Sequence, residues 1–179
     1  MFCPHCGQPT LRHYQQHEYY CACGFRFFHN AAAAVAAIIQ LQDTILVTRR
    51  ARAPGQGQLD FPGGFVDPGE TLEQALCREL NEELALCIAP EQLIWFGSQA
   101  NVYPFAGVTY STCDAYFRVV LQELPPLHNE AEISEHLWLS PAALSADDFA
   151  FESSKRALQR LLSLLAADVG AGGTTKTAV

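Results

Sequence analysis

The sequence predicts an α/β domain preceded by a small cysteine-rich β ribbon. Three observations carry that expectation. Short β-branched runs alternate with two helical patterns, the arrangement of a layered α/β domain. Four cysteines (Cys3, Cys6, Cys21, Cys23) fall within the first 23 residues. The 179 residues, 49% hydrophobic and 17% charged, supply one ordinary core and a small appendage.

The elements follow in order. Residues 1–30, rich in Cys, His and aromatics, form the ribbon; residues 31–167 form the main domain; residues 168–179, rich in Gly, Thr and Ala, read as a flexible tail. Ala33–Leu41 and Thr44–Arg49 read as strands joined by a tight turn at Gln42-Asp43. A loop marked by Pro54, Gly55 and Gly57 leads to Phe61-Pro62-Gly63-Gly64. A helix is expected from about Leu72 to Ala85, with Thr71 as N-cap and Gln74 completing a capping box. Further strands are expected at Leu93–Gln99, Tyr110–Leu121 and His136–Leu139. A closing amphipathic helix should run from about Ser153 to Leu165, with Leu158, Leu161, Leu162 and Leu165 on one face.

Charge narrows the partners. The formal net charge of −8 repels a phosphate backbone, which disfavours nucleic acid and leaves small phosphorylated molecules brought in with a divalent cation. The longest uncharged run, Phe27 to Gln42, is short for a membrane span and has the β-branched end of a buried strand, so no membrane partner is expected. Met1 is followed by Phe2, Cys3 and Pro4 with no basic and apolar leader, which points to the cytoplasm. Seven cysteines, an odd number, argue for metal binding rather than disulfides. Cys77, Cys87 and Cys113 sit among apolar neighbours and are expected in the core.

The segment around the first helix is the most informative. At about 100° per residue, Glu79 and Glu83 lie within roughly 40° of each other, with Glu82 about 60° from the Glu79 direction on the other side. Leu76, Leu80 and Leu84 form the adjoining arc. Crowded like charges cost roughly 0.2–0.5 kcal/mol per exposed pair and more where water is excluded. Arg78 offsets part of this. A divalent cation would relieve the rest, because carboxylate oxygens are preferred ligands of Mg²⁺ and Mn²⁺. A solvated acidic face is the plain alternative.

Gly64, five residues, Glu70, seven residues, then Arg78-Glu79-Leu80-x-Glu82-Glu83 resembles the Nudix signature. One position departs: Ala85 stands where the family has Gly. The resemblance covers residues 33–165 and implies a Nudix-type α/β/α sandwich with a mixed sheet. It implies that Glu79, Glu82 and Glu83 hold Mg²⁺ or Mn²⁺, and that Glu70 and Arg78 position loop and helix. The implied reaction is attack of water on a diphosphate linkage of a nucleotide.

Cys3-x-x-Cys6 and Cys21-x-Cys23 are two knuckles that can close on a tetrahedral, structural Zn²⁺. Thirty residues cannot build a core, so metal would supply the fold. The single residue between Cys21 and Cys23 strains the chelate, which leaves His5, His17 or His29 as substitutes for one sulfur.

A zinc ribbon before a Nudix domain resembles the NADH pyrophosphatase branch. Ser98-Gln99-x-Asn101-x-Tyr103-Pro104-Phe105 partly matches a motif of that branch, without its Trp. The resemblance makes Glu132 a further metal ligand and Phe28, Phe65, Gln99 and Tyr103 substrate-binding residues, with ordinary packing as the alternative for the aromatics. NADH and ADP-ribose are the substrate types it implies. Members of the branch have a further N-terminal domain and this chain starts at the ribbon, so damaged nucleoside triphosphates stay open as well. A non-catalytic nucleotide sensor is the rival outside enzymes, and a protein-recruiting ribbon is another. The resemblance also allows a homodimer.

Overall fold

The structure, a computed structural model, describes residues 1–129 and 131–171. It divides into two compact units, Met1–Ala31 and a second that begins at Ala32.

The first unit is a three-stranded antiparallel sheet, β1 (Arg12–Gln15), β2 (Glu18–Tyr20) and β3 (Arg26–Phe28), in that spatial order. Cys3, Leu11 and Cys21 are its only fully buried apolar residues among those described, with Cys6, Tyr19 and Phe25 packed against them. So small a cluster cannot offset the entropy of ordering the segment.

The second unit carries β4 (Ala32–Leu41), β5 (Thr44–Arg50), β6 (Leu59–Asp60), β7 (Gly63–Phe65), α1 (Leu72–Leu84), β8 (Ile94–Phe105), β9 (Val108–Leu121), β10 (Ile133–Leu139) and α2 (Glu152–Ala171). The strands form a mixed sheet of order β10-β5-β4-β9-β8, with β6 added to β5 and β7 added to β4. Of the strand pairings among the described residues only β4–β9 is parallel, apart from a single parallel bridge from Leu59 to Phe149. Strand alternation then sorts the core into two layers. Val35, Ala37 and Ile39 of β4 face α1 through Leu76, Leu80 and Leu84. Ile38 joins the opposite layer with Val47, Phe61, Leu158 and Leu161, where Leu162 and Leu165 pack in part. This is the expected α/β/α sandwich. No helix among the described residues is long and apolar enough to cross a membrane.

Local chemistry sets the ends of α1. Thr71 accepts from the Gln74 amide at 3.2 Å and the Gln74 side chain accepts from the Thr71 amide at 2.9 Å. At the other end Ala85 takes the left-handed conformation (φ 54°, ψ 28°) that a glycine adopts without cost. The Leu86 amide donates to the Leu80 carbonyl at 3.1 Å, so the chain leaves the helix despite the substitution.

Several expectations change. β8 and β9 extend into a long hairpin closed by Ala106 and Gly107, both at positive φ (48° and 79°), a two-residue turn that matches strand twist. Pro104 is tolerated because β8 is the edge strand. α2 runs to Ala171, past the expected start of the tail, and residues 172–179 lie outside the described residues. Cys87 and Cys113 are exposed and Cys77 is half-buried, contrary to a core assignment. Alternation explains two of them: Leu86 and Ile88 turn inward on either side of Cys87, and Thr112 and Asp114 do so around Cys113.

Candidate active site and metal centre

Capping fixes the start of α1, and packing of Leu76, Leu80 and Leu84 fixes its rotation. That rotation turns Glu79, Glu82 and Glu83 toward a cavity of about 720 Å³. The volume falls in the usual range for nucleotide-sized ligands, roughly 300–1,000 Å³. Glu132, at the entry to β10, lines the same cavity, as do Phe65 and Tyr103.

Arg78 organises the acidic edge. Its Nε and Nη2 donate to both Glu70 oxygens at 2.8 and 2.9 Å, a bidentate pair that holds the Glu70 carboxyl below its ordinary range. Its Nη1 donates to Glu79 at 2.8 Å and to Glu82 at 3.0 Å, and its Nη2 also reaches the Phe65 carbonyl at 3.0 Å. One guanidinium therefore ties the loop from β7 to the helix. Neither Arg78 nor Glu70 lines the cavity, which suits positioning roles.

Glu83 is the least compensated of the set. Its Oε2 accepts one hydrogen bond, from the Gly63 amide at 2.9 Å. Burial, reinforced by the charges of Glu79, Asp60 and Glu132, pushes its carboxyl up to about 8. Burial also raises Glu79, against the pull of Arg78. The Gly63 amide can reach Glu83 because β7 presses directly on β4: a side chain at Gly63 would strike the carbonyl oxygen of Val35.

Among the described residues the cavity wall counts seven carboxylates (Asp60, Asp67, Glu79, Glu82, Glu83, Asp114, Glu132) against two guanidiniums (Arg50, Arg52). A diphosphate cannot enter such a field unaided. Hard oxygen donors around a desolvated carboxylate are the donor set that Mg²⁺ and Mn²⁺ accept, so the residues fit a divalent cation.

Sequence reasoning missed several cavity residues. Asp60 lies on β6, where Ser154 at the start of α2 donates to its Oδ1 at 2.6 Å and the Phe61 amide donates at 2.9 Å. Arg50 lies 3.5 Å from its Oδ2 and stacks 5.0 Å from the Phe151 ring centre. Burial lifts the Asp60 carboxyl to about 6, opposed by Ser154 and Arg50. Thr112 and Asp114 come from β9, Asn101 from β8 and Phe151 from the entry to α2. Asp60 sits one residue before the legible Phe61-Pro62-Gly63-Gly64; the others converge only through strand register, which no local spacing reveals. Gln99, expected at the site, pairs with Asp114 in register but does not line the cavity. Phe28 lies exposed on β3 in the first unit.

In the first unit the four cysteine sulfurs lie within 4.8 Å of one another. Cys3 and Cys23 are 3.8 Å apart and Cys6 and Cys21 are 3.7 Å apart. A tetrahedron with metal–sulfur bonds of about 2.3 Å has edges near 3.8 Å, so the set fits Zn²⁺ without a histidine. The one-residue knuckle closes because Gly24, at φ 90°, donates its amide to the Cys21 carbonyl at 2.9 Å. Gly7, at φ 72°, does the same for Cys3 at 2.8 Å. The Thr10 hydroxyl, 3.0 Å from Cys21 Sγ, lowers that thiol, whereas the Cys21 sulfur and burial raise its neighbour Cys23.

Comparison with known proteins adds the following. Residues 29–161 match the NUDIX domain family. The chain is 34% identical over 105 residues to the NAD-capped RNA hydrolase NudC of Stutzerimonas stutzeri, covering 58% of this chain but only 37% of that relative. It is 36% identical over 117 residues to the 8-oxo-dGTP diphosphatase of Escherichia coli, covering 65% of this chain and 84% of that relative. The fold resembles the crystal structure of a NUDIX hydrolase from Nitrosomonas europaea, with a TM-score of 0.69, 26% identity and 90% of each chain covered.

Proposed function

The chain belongs to the NUDIX family, and from that premise we propose that it hydrolyses a diphosphate linkage in a nucleoside diphosphate derivative with Mg²⁺ or Mn²⁺. One observation carries the reading: Glu79, Glu82, Glu83 and Glu132 all line a nucleotide-sized cavity whose wall is acidic.

In this reading Glu79, Glu82, Glu83 and Glu132 hold the catalytic cation. When bound, Mg²⁺ or Mn²⁺ supplies charge neutralisation on the diphosphate and lowers the pKa of water. The protein's own part is positional. Arg78 clamps Glu70, Glu79 and Glu82 so that loop and helix stay in register. The Gly63 amide aims Glu83. Arg50 and Arg52 reach the same cavity and can meet phosphate oxygens. Cys3, Cys6, Cys21 and Cys23 hold a structural Zn²⁺ that folds the ribbon. Thiolates of that kind persist in the cytoplasm, the compartment proposed here, and a homodimer belongs to the same proposal.

Two substrate types compete. The ribbon in front of the domain, and the NAD-capped RNA hydrolase among the relatives, favour NADH or ADP-ribose. The long alignment with an 8-oxo-dGTP diphosphatase favours damaged nucleoside triphosphates. Product analysis after incubation with NADH, ADP-ribose, NAD-capped RNA and nucleoside triphosphates separates them. Mononucleotide from NADH supports the first, and pyrophosphate from a triphosphate supports the second. Nucleotide binding without turnover of any of these under Mg²⁺ or Mn²⁺ would instead mark a sensor.

A further inference from the structure

Besides the acidic helix, the cavity is lined by aromatic and strand side chains of different chemistry. Ala34 and Ala36 of β4 line it, in register with Phe65 and Gly63 on β7 and with Asp114 and Tyr116 on β9. One side is aromatic: the Tyr103 ring lies 5.5 Å from Phe65 in an edge contact and 5.4 Å from Phe151. A flat ring can stack against such a wall. Facing it on β9 is Asp114, only 8% exposed, whose Oδ1 accepts from the Thr112 hydroxyl at 2.6 Å. Asn101 stands opposite Thr112 in the β8–β9 register and reaches the same space.

Asp60 is close by but its oxygens already meet Ser154, the Phe61 amide and Arg50. Among the described residues Asp114 has a single side-chain hydrogen-bond partner, which leaves acceptor capacity in a residue that lines the cavity. A nearly buried carboxylate with capacity to spare asks for donors. Among nucleobases, guanine presents two adjacent donor groups, N1–H and the exocyclic N2 amine. Adenine would set its N1 lone pair against the carboxylate, and uracil has one ring N–H only. Asn101 can donate to the neighbouring O6.

We propose that this part of the cavity is a nucleobase subsite in which Asp114, with Asn101, selects guanine, the ring lying against Phe65, Tyr103 and Phe151. The proposal rests on the nucleotide-hydrolase reading of the same cavity and, of the two substrate types set out above, favours guanine nucleoside triphosphates over NADH and ADP-ribose, whose base is adenine.

Calorimetric titration of the full chain with the α,β-methylene diphosphates of guanosine, inosine and adenosine, in Mg²⁺, reads base choice without turnover. Affinity should fall in the order guanosine, inosine, adenosine, with a ratio between the ends of about 5- to 100-fold, the worth of one good bidentate contact. Asp114→Asn, which keeps the shape and the Thr112 contact, should remove most of that ratio by weakening the guanosine analogue. Equal binding of the three analogues overturns the subsite, as does a guanosine preference that survives Asp114→Asn. Hydrolysis is scored separately. Turnover without base preference overturns the subsite and leaves the hydrolase reading standing. A base preference without turnover of any substrate supports the subsite and removes the hydrolase reading.

Discussion

Gly64 and Glu79 occupy one another's space: a Cβ on Gly64 would sit 2.5 Å from the Glu79 carboxyl carbon and from its Oε1. Glu79 therefore folds down over a backbone that offers no side chain. Arg78 then holds it there at 2.8 Å. The fixed glycine in front of the acidic helix has a steric reason that spacing alone does not reveal.

Gly64→Ala should push the Glu79 carboxylate off its position while leaving both core layers intact. Misplacement of a positioned group by about 1 Å can cost roughly 100-fold in rate. A loss in kcat of that order is expected, with the thermal midpoint within a few degrees of wild type. Full activity in the variant would show that Glu79 need not lie against the loop.

Ala85→Gly should stabilise the protein. An L residue in the left-handed region costs about 1–2 kcal/mol, and glycine's greater freedom in the unfolded chain returns about half of that. A gain of about 0.5–1 kcal/mol is expected in denaturant unfolding. A loss of stability would contradict the left-handed cap at Ala85 (φ 54°).

Asp60 gives stability a pH dependence. Its carboxyl rises from 3.8 to about 6 because it is buried, so the native state holds the proton more tightly than the unfolded chain. The stabilisation is fully present below about pH 4 and is lost as pH rises through about 6, on the order of 1–3 kcal/mol. Without added Mg²⁺ or Mn²⁺, Asp60→Asn should gain stability relative to wild type across that window. Parallel stability profiles for the two proteins would exclude this role for Asp60.

The ribbon should carry one Zn²⁺ per chain by elemental analysis, and Cys21→Ser should lose it. The second unit, with its own two core layers, should retain its unfolding transition in that variant. A full complement of zinc in Cys21→Ser would mean that one of the histidines serves in its place.

The acidic helix, its capping box, the Gln42-Asp43 turn and the paired cysteine knuckles were legible because each is written in residues close along the chain. The short strands β6 and β7 were not, since two or three residues carry no alternation. Nor were the cavity residues on β8 and β9. Asn101, Thr112 and Asp114 meet through hairpin register, and Phe151 joins them from the start of α2. Gln99 shares a strand face with Asn101 and Tyr103 and pairs with Asp114, yet does not line the cavity.

Binding of Mn²⁺, followed by its paramagnetic resonance signal in the presence of a non-hydrolysable nucleotide, tests the role of the acidic helix most directly. Wild type should take up Mn²⁺ beyond any metal on the cysteines, and Glu83→Gln should weaken that uptake at least tenfold while leaving the fold intact. Equal Mn²⁺ uptake by the two proteins would contradict a catalytic metal held by Glu83.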